Sequence, residues 1–327
     1  MRTGLGIPPL GLPMELCVDI VRRAEARGFD GVWVGEAWGT ETCTMVGALL
    51  AQSQHIPIGT GIVSIYLRPP TLTAMQAATL DLIAPGRARL GLGVSTRNIN
   101  NFHGVAWDYP VARTREYVTI LRKVLAGERV SFDGTFYRPR GFQLSTPLPK
   151  KLPIYLAAVN PQMLRLAGEI ADGILLAWLP ARQVPQSLAE IAQGAARVGR
   201  SLTDIDIGCY IHTAVTTNPE QTFHQLRRVL VGYCQANTYI QGFRHFGYSE
   251  ILNEVHHYWN AGDRARAEAA IPESMVKELY VFGSADECRA QIERFRQAGV
   301  QLPIVAAPPT SRLTADDFHR LLETFAQ

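Results

Sequence analysis

Short apolar runs alternate with amphipathic segments along most of the chain. We predict eight β-strands from runs rich in Val, Ile, Leu and Ala, most of which lack the polar alternation of a half-exposed strand. Their predicted ranges are Thr3–Pro8, Gly31–Glu36, Ile58–Val63, Ala88–Val94, Pro153–Ala158, Gly173–Ala177, Asp206–Val215 and Leu302–Ala307. Continuous apolar runs indicate strands that are buried on both faces, as in a parallel sheet covered by helices.

The segments between these strands have the spacing of amphipathic helices. In the first of them, Met14–Arg27, apolar residues recur every four positions, and Gly28 is expected to end the helix. Further helices are predicted at about Thr71–Ala84, Val111–Ala126, Gln162–Ile170, Pro185–Val198, Ala285–Gly299 and Ala315–Ala326. Repeated strand–helix units over 327 residues predict an α/β fold, a single (β/α)8 TIM-barrel domain that spans residues 1–327.

Two segments are too long to be simple connections. Gly127–Leu152 is predicted to contain a β-hairpin around Asp133-Gly134. The second, Asn218–Phe282, is an insertion before the eighth strand, and its aromatic content favours a pocket wall over a solvated loop. Its aromatic residues include Tyr233, Tyr239, Phe243, His245, Phe246, Tyr248, His256, His257, Tyr258 and Trp259.

Composition narrows the class of protein. Hydrophobic residues make up 47% of the chain and charged residues 19%, which is typical of a globular enzyme. A net charge of +3 without clustered basic residues argues against nucleic-acid binding, and no apolar run is long enough for a membrane span. Five scattered cysteines indicate neither disulfides nor a zinc site. We therefore expect a cytoplasmic, metal-free enzyme that acts on a small-molecule substrate.

In such a barrel the active site lies at the carboxyl ends of the strands. Glu36 leaves the second strand beside Ala37 and Trp38, where it could contact a cofactor ring, carry a proton, or simply face solvent. Gly61 lies late in the third strand, and a glycine there often marks a bulge or a close approach of another group.

The fourth strand ends in Gly91–Thr96, which resembles a dinucleotide-binding fingerprint. Thr96 stands where the third glycine belongs, and the motif follows the fourth strand instead of the first, so we exclude a nicotinamide-binding Rossmann fold. After the fifth strand, Asn160 suits an N-cap and Pro161 the first helical position. The free backbone N–H groups of that helix could bind a phosphate, or the cap could hold nothing.

The histidine positions give weaker evidence about the active site. His212 shares one face of the seventh strand with Tyr210, and it could point into the site or into the helical shell; we favour a structural role. His256 and His257 are adjacent, so their side chains point apart and make a poor metal pair.

Together these motifs resemble the bacterial-luciferase-like superfamily, and within it the coenzyme F-420-dependent reductases such as methylenetetrahydromethanopterin reductase. Most of Arg22–Leu179 matches, and Phe282–Val305 matches more loosely. The segments that carry the resemblance are Ala24–Gly31, Trp33-Val34, Gly59–Val63, Pro69–Gly93, Arg113–Tyr117, Pro153–Ala158 and Asn160–Gly173.

The resemblance implies which residues form the site. It implies a non-prolyl cis peptide at Gly61-Ile62 against the deazaflavin ring, the cofactor phosphate at Asn160–Met163, and a catalytic role for Glu36. Ala37 replaces a histidine found in many members, which leaves Glu36, another residue or water as the proton donor. Ser95-Thr96 replace the Gly-Asp pair of the methanopterin reductases, so the pterin substrate is not carried over. The implied cofactor-binding residues are Gly61, Ile62, Val63, Ser95, Thr96, Ala158, Val159, Asn160, Gln162 and Met163.

The implied activity is hydride transfer between carbon 5 of reduced coenzyme F-420, a deazaflavin, and an organic substrate with a CH–OH or CH–NH group. The alternative is an FMN-dependent luciferase-like monooxygenase that works with a separate flavin reductase, and a third possibility is a barrel that binds flavin without turnover. Coenzyme F-420 continues beyond its phosphate into an anionic lactyl-glutamate tail, for which Arg97, Arg165 and Arg182 are the candidate partners. We also expect a homo-oligomer, a dimer or tetramer.

Overall fold

Eight parallel strand positions close into a barrel in the computed structural model, which describes residues 1–9, 11–146, 148, 150–309 and 313–327. The strands are β1 (Gly4–Ile7), β2 (Gly31–Val34), β3 (Ile58–Thr60), β4 (Val63–Ser64), β5 (Ala88–Gly93), β6 (Ile154–Ala157), β7 (Gly173–Ala177), β8 (Asp206–Val215), β9 (Val281–Gly283) and β10 (Leu302–Ala306). The sheet closes because β10 pairs in parallel with both β1 and β8. The predicted TIM barrel is therefore confirmed.

The predicted strands are all present, with one difference in the third. Where we expected a continuous strand over Ile58–Val63, the chain leaves the sheet at Gly61-Ile62, so that β3 pairs with β2 and β5 while β4 pairs with β5. β9 is an additional short strand beside the outer end of β8.

The predicted helices are also present, with ends that agree within two residues. The helices are α1 (Met14–Ala26), α2 (Thr42–Ala51), α3 (Pro70–Ile83), α4 (Arg97–Phe102), α5 (Pro110–Leu125), α6 (Pro161–Ile170), α7 (Val184–Ala196), α8 (Pro219–Tyr233), α9 (Asn237–His245), α10 (Ser249–Asn260), α11 (Arg264–Ala269), α12 (Glu273–Leu279), α13 (Ala285–Gln297) and α14 (Ala315–Thr324). Short 3-10 helices cover Ala181–Gln183 and Leu202–Asp204. Gly28 follows α1 with a φ of 75°, the left-handed conformation expected of a helix-ending glycine.

The two long segments differ in structure. Around the predicted hairpin, Val130 and Phe142 form one antiparallel bridge, and Gly134 N–H donates to Tyr137 O at 3.2 Å. The insertion before the last barrel strand is helical: α8 to α12 pack into a unit over the carboxyl ends of the strands.

A small core fills the barrel below the site. Trp33 and Tyr155 meet edge to face with ring centroids 4.6 Å apart. The Tyr155 hydroxyl donates to the Asp206 carboxylate at 2.8 Å, and Arg2 pairs with the same carboxylate. Since Arg2 and Asp206 lie at the amino ends of β1 and β8, this network closes that end of the barrel. The candidate site lies at the opposite end, where the strands have their carboxyl ends.

The described ranges contain neither a membrane-spanning helix nor a metal-binding cluster. Within them, no helix combines the length and apolar character needed to cross a bilayer. The same ranges contain no group of three or more His, Cys, Asp or Glu side chains arranged to hold a metal ion.

Candidate active site

A cavity of about 480 Å³ lies at the carboxyl ends of the barrel strands. All eight strand positions contribute to it, which is the arrangement expected of a TIM-barrel active site. One contribution from each strand, in chain order, is Pro8, Gly35, Gly61, Ser95, Ala158, Trp178, His212 and Ala307. The cavity is within the range of sizes that hold a cofactor or a substrate.

The structure brings nine of the ten expected cofactor-binding residues to this one cavity. The tenth, Val63, lies outside the cavity lining: it pairs with Leu92 in the sheet, and its side chain is fully buried in the core between strands and helices. The residues that do line the cavity are Gly61, Ile62, Ser95, Thr96, Ala158, Val159, Asn160, Gln162 and Met163.

The segment Gly61-Ile62 forms a bulge in the cavity wall, and its peptide bond is cis, as the resemblance implied. The Tyr210 hydroxyl donates to Gly61 O at 3.3 Å, and a Cβ atom on residue 61 would collide with that hydroxyl. The Ile62 side chain lies over Gly93, where a Cβ atom would be only 2.9 Å from Ile62 Cδ1. Close approach from Tyr210 therefore requires glycine at position 61.

The start of α6 faces the same cavity. Pro161 occupies the first turn, and the side chain of Asn160 makes no capping hydrogen bond. The first backbone donor inside the helix is Leu164 N–H, which bonds Asn160 O at 2.9 Å. The N–H groups of Gln162 and Met163 precede it and belong to the donors that a helix leaves free at its amino end. This end of the cavity can therefore bind an anion.

A second tight turn follows β5, the strand that pairs with β6. Ser95 adopts a left-handed conformation with a φ of 53°. Thr96 caps the short helix α4, since its hydroxyl accepts from Ile99 N–H at 3.3 Å. The Thr238 hydroxyl of the insertion donates to Ser95 O at 3.1 Å, so this loop is tied to the insertion.

Glu36 faces the cavity but is not a free carboxylate. Arg68 binds both of its oxygens, at 2.5 and 2.7 Å, and the Thr42 N–H donates to it at 3.2 Å. The side chains of Glu36 and Arg68 are only 9% and 10% exposed, so the interpretation of Glu36 as a solvent-facing strand end is wrong. Arg68 also pairs with Glu41 at 2.6 Å.

Hydrogen bonding and neighbouring charge shift the pKa values of Arg68 and Glu41 in this cluster. Burial alone would lower the pKa of Arg68, but the bonds from Glu36 outweigh it and raise that pKa. Burial raises the pKa of Glu41, but hydrogen bonds from Thr44, Arg68 and Cys43 N–H outweigh it and lower the pKa to about 2. We could not predict Arg68 from the sequence, because it lies 32 residues beyond Glu36 in a loop without a recognisable motif.

One wall of the cavity is aromatic. Trp178, at the end of β7, lies against Tyr233 of the insertion at a centroid distance of 3.9 Å and against His212 at 4.3 Å. Tyr239 also lines the cavity, so the prediction that aromatic residues of the insertion form a pocket wall is confirmed for Tyr233 and Tyr239. Phe243 and Tyr248 instead pack inside the insertion.

His212 lies in this wall, so the structure gives it a place in the site as well as a packing role. Its Nδ1 atom is buried and has no hydrogen-bond partner among the described residues. Burial lowers the pKa of His212 to about 4, so the ring is neutral at neutral pH.

The three candidate arginines are placed differently from one another. Arg182 is held by Glu278 at 2.8 Å and lies outside the cavity lining, so it is not a partner for a ligand there. Arg165 pairs with Glu190 at 2.5 Å, one helical turn beyond Gln162. The Arg97 guanidinium lies 5.8 Å from the Trp107 ring, and Trp107 lines the cavity.

Comparison with known proteins gives the family. The sequence profile of the luciferase-like monooxygenases matches residues 10–302, nearly the whole chain. The chain belongs to the luciferase-like family. Family membership agrees with the barrel, the site at its carboxyl end and the bulge after β3.

Individual relatives match over almost their full lengths. A protein of Mycobacterium tuberculosis named as a coenzyme F-420-dependent oxidoreductase is 31% identical over 334 residues, covering 94% of this chain and 95% of that one. The 5,10-methylenetetrahydromethanopterin reductase of Methanolobus tindarius is 27% identical, covering 90% and 91%. The solved coenzyme F-420-dependent tetrahydromethanopterin reductase of Methanopyrus kandleri has a TM-score of 0.84 at 22% identity, covering 99% and 97%, and supports the fold alone.

Proposed function

We propose that this protein is an oxidoreductase that transfers a hydride between coenzyme F-420 and a small organic substrate carrying a CH–OH or CH–NH group. The two curated relatives described above are named for coenzyme F-420 or for the reduction of a methylene-pterin, and they align with nearly the whole chain. Luciferase-like barrels catalyse more than one kind of reaction, so the proposed reaction has to be supported by the residues of the site.

One observation carries the proposal: nine positions expected to contact the cofactor line a single cavity with two chemically different ends. Near Gly61-Ile62 the cavity is lined by the Ile62 side chain and the Tyr210 ring, which suit a flat ring. The end at Asn160–Met163 offers free helix N–H donors, which suit a phosphate. A deazaflavin with a ribityl phosphate has both requirements, so the residues fit the group.

The residues of the cavity have different proposed roles. When bound, the deazaflavin supplies carbon 5 as the hydride donor or acceptor. Gly61 and Gly93 let the Tyr210 hydroxyl and the Ile62 side chain pack closely against the backbone at the bulge, and the helical insertion limits access of water from above. Arg68 holds both oxygens of Glu36, which favours Glu36 as an oriented hydrogen-bond acceptor over Glu36 as a mobile proton carrier.

The alternative function is an FMN-dependent monooxygenase, because the family is described by that activity. FMN has the same ribityl phosphate, so the α6 end of the cavity does not distinguish the two cofactors. The alternative requires a separate reductase to supply reduced FMN, and it requires oxygen to be consumed with the substrate.

A turnover assay distinguishes the deazaflavin-dependent oxidoreductase from the FMN-dependent monooxygenase. The purified protein would be mixed with coenzyme F-420 and a panel of secondary alcohols and cyclic amines, and reduction would be followed by the absorbance of the oxidised deazaflavin. In parallel, reduced FMN and the same compounds would be placed in an oxygen electrode. We expect deazaflavin reduction without oxygen uptake. Substrate-dependent oxygen uptake with FMN, and no reaction with coenzyme F-420, would favour the monooxygenase; cofactor binding without either reaction would favour a non-catalytic barrel.

A further inference from the structure

A second cavity of about 300 Å³ lies beside the first, in the groove between α5, α6 and the end of α7. Val111 and Gln162 line both cavities, so the two are contiguous. Gln162 is in the first turn of α6, next to the N–H groups that face the main cavity. A ligand that places its phosphate there can continue over Gln162 into the groove. We call it the arginine groove, since Arg115, Arg165 and Arg197 line it.

Two carboxylates pair with the three arginines, and one of them, Glu169, also lines the groove. Glu169, only 8% exposed, binds Arg115 at 2.5 Å and Arg197 at 3.0 Å. Glu190 binds Arg165 at 2.5 Å. Three guanidinium groups against two carboxylates leave a net positive charge in the groove.

Each of these guanidinium groups still has donors to offer. In the described part of the chain, a single nitrogen of each arginine makes a hydrogen bond: Nη2 of Arg115, Nε of Arg165 and Nη1 of Arg197. A guanidinium has five N–H donors, and a carboxylate can accept two of them at once. Because Glu169 and Glu190 restrict the arginines, a carboxylate ligand meets donors that are already partly ordered.

Helix geometry sets the distance between the arginines and the proposed phosphate position. Arg165 follows Gln162 by three residues on α6, and Arg115 follows Val111 by four residues on α5. Both spacings amount to about one helical turn, roughly 5 Å along the axis. Two arginines on facing helices therefore lie one turn beyond the residues that border the proposed phosphate position.

We infer that the arginine groove binds the carboxylates of the lactyl-glutamate tail of coenzyme F-420 where the tail continues beyond the phosphate. This inference rests on the proposed function. It adds the surface by which the protein distinguishes coenzyme F-420 from FMN, because FMN has no tail. Arg115 and Arg165 contact the tail first, and Arg197 lies further along the groove.

The test compares the two cofactors on one set of variants by fluorescence titration. In the double variant Arg115→Gln/Arg165→Gln, the Kd for coenzyme F-420 should rise about three- to tenfold, because each partly exposed ion pair contributes little. The Kd for FMN should change by less than about twofold. Arg228→Gln is the matched control, since Arg228 is an exposed arginine paired with Glu268 outside both cavities.

A second measurement needs no variant. On the wild-type protein, raising the salt concentration should weaken binding of coenzyme F-420 more than binding of FMN, because only the former has carboxylates in the groove. Equal losses for both cofactors in the double variant, or equal salt dependence in the wild type, would overturn the inference and leave the proposed function standing. Absence of coenzyme F-420 binding to the wild type would overturn both. If the double variant does not fold, the salt comparison decides alone.

Discussion

Position 61 shows how one residue can control the shape of the site. Gly61 lies so close to the Tyr210 hydroxyl that a methyl group would have to displace the tyrosine or the bulge. We expect Gly61→Ala to weaken cofactor binding by at least about tenfold and to cost about 1–3 kcal/mol of stability, as overpacking does. Adding Tyr210→Phe removes the colliding oxygen and should restore part of both losses. Titration and urea denaturation of the single and double variants check this, and an absence of rescue would contradict it.

Glu36, Arg68 and Glu41 form a charged cluster at the edge of the cavity. Arg68→Met would leave two neighbouring carboxylates without their cation, so we expect a loss of about 3–5 kcal/mol in the free energy of unfolding. Glu36→Gln keeps the Arg68–Glu41 pair and should cost less, about 1–2 kcal/mol. Urea denaturation of both variants tests the order, and an equal or larger loss for Glu36→Gln would contradict it.

Glu36→Gln also tests the proposed role of this carboxylate in the reaction. The amide keeps the shape of the side chain but loses its charge, so turnover should fall far more than cofactor affinity. Titration with the cofactor and a turnover assay on the same preparation give both numbers. Unchanged turnover would remove Glu36 from the catalytic residues.

Sequence patterns identified only some of the site residues. Gly61 and Asn160 could be singled out because glycine in a strand and Asn-Pro at a helix start have local structural meanings. Arg68 and Tyr210 could not, since their roles arise from contacts with Glu36 and Gly61 that are distant in sequence. Val63 was named from its position in the motif, and its side chain lies in the core between strands and helices.

At the scale of elements, the helical insertion is attached to the barrel by aromatic contacts. The Tyr239 ring lies 6.0 Å from the Trp178 ring and 5.6 Å from the Tyr233 ring. Tyr239→Ala should loosen this attachment, because it removes a large aromatic side chain from a packed wall. We expect faster amide hydrogen exchange in α8 and α9 and unchanged exchange in the barrel strands. Tyr258→Ala, outside the cavity, is the control; equal effects of the two changes would argue against a role of Tyr239 in holding the wall.

Strands and amphipathic helices were predictable because their periodicity reports burial directly. α2 was not predicted, and its composition explains why: Cys43, Met45, Val46, Leu49 and Leu50 are all buried, so the helix lacks the polar face that gives an amphipathic pattern. The predicted strand range Ile58–Val63 ran through the break, because Gly61-Ile62 continues the apolar run, although Gly61 and the resemblance both indicated a bulge there.

For the whole molecule, His212 couples stability to pH. Burial lowers its pKa from 6.5 to about 4, so between these values the unfolded chain binds a proton that the folded protein does not. Stability is therefore unaffected above pH 6.5 and is lost as the pH falls toward 4. From pH 7.5 to 5 this group should cost about 2 kcal/mol. His212→Phe should lose correspondingly less over that range in urea denaturation, and an identical loss in both proteins would contradict the assignment.

The expected (β/α)8 barrel followed from the order of elements, and the location of the site followed from the barrel. The expected homo-oligomer, by contrast, stays a prediction.

The central claim is that the cavity binds coenzyme F-420 in preference to FMN. The most direct measurement is a fluorescence titration of the purified wild-type protein with each cofactor at low salt. We predict a lower Kd for coenzyme F-420, by about three- to tenfold, since both cofactors share the phosphate site and only one has an anionic tail for the arginine groove. Tighter binding of FMN would contradict the account.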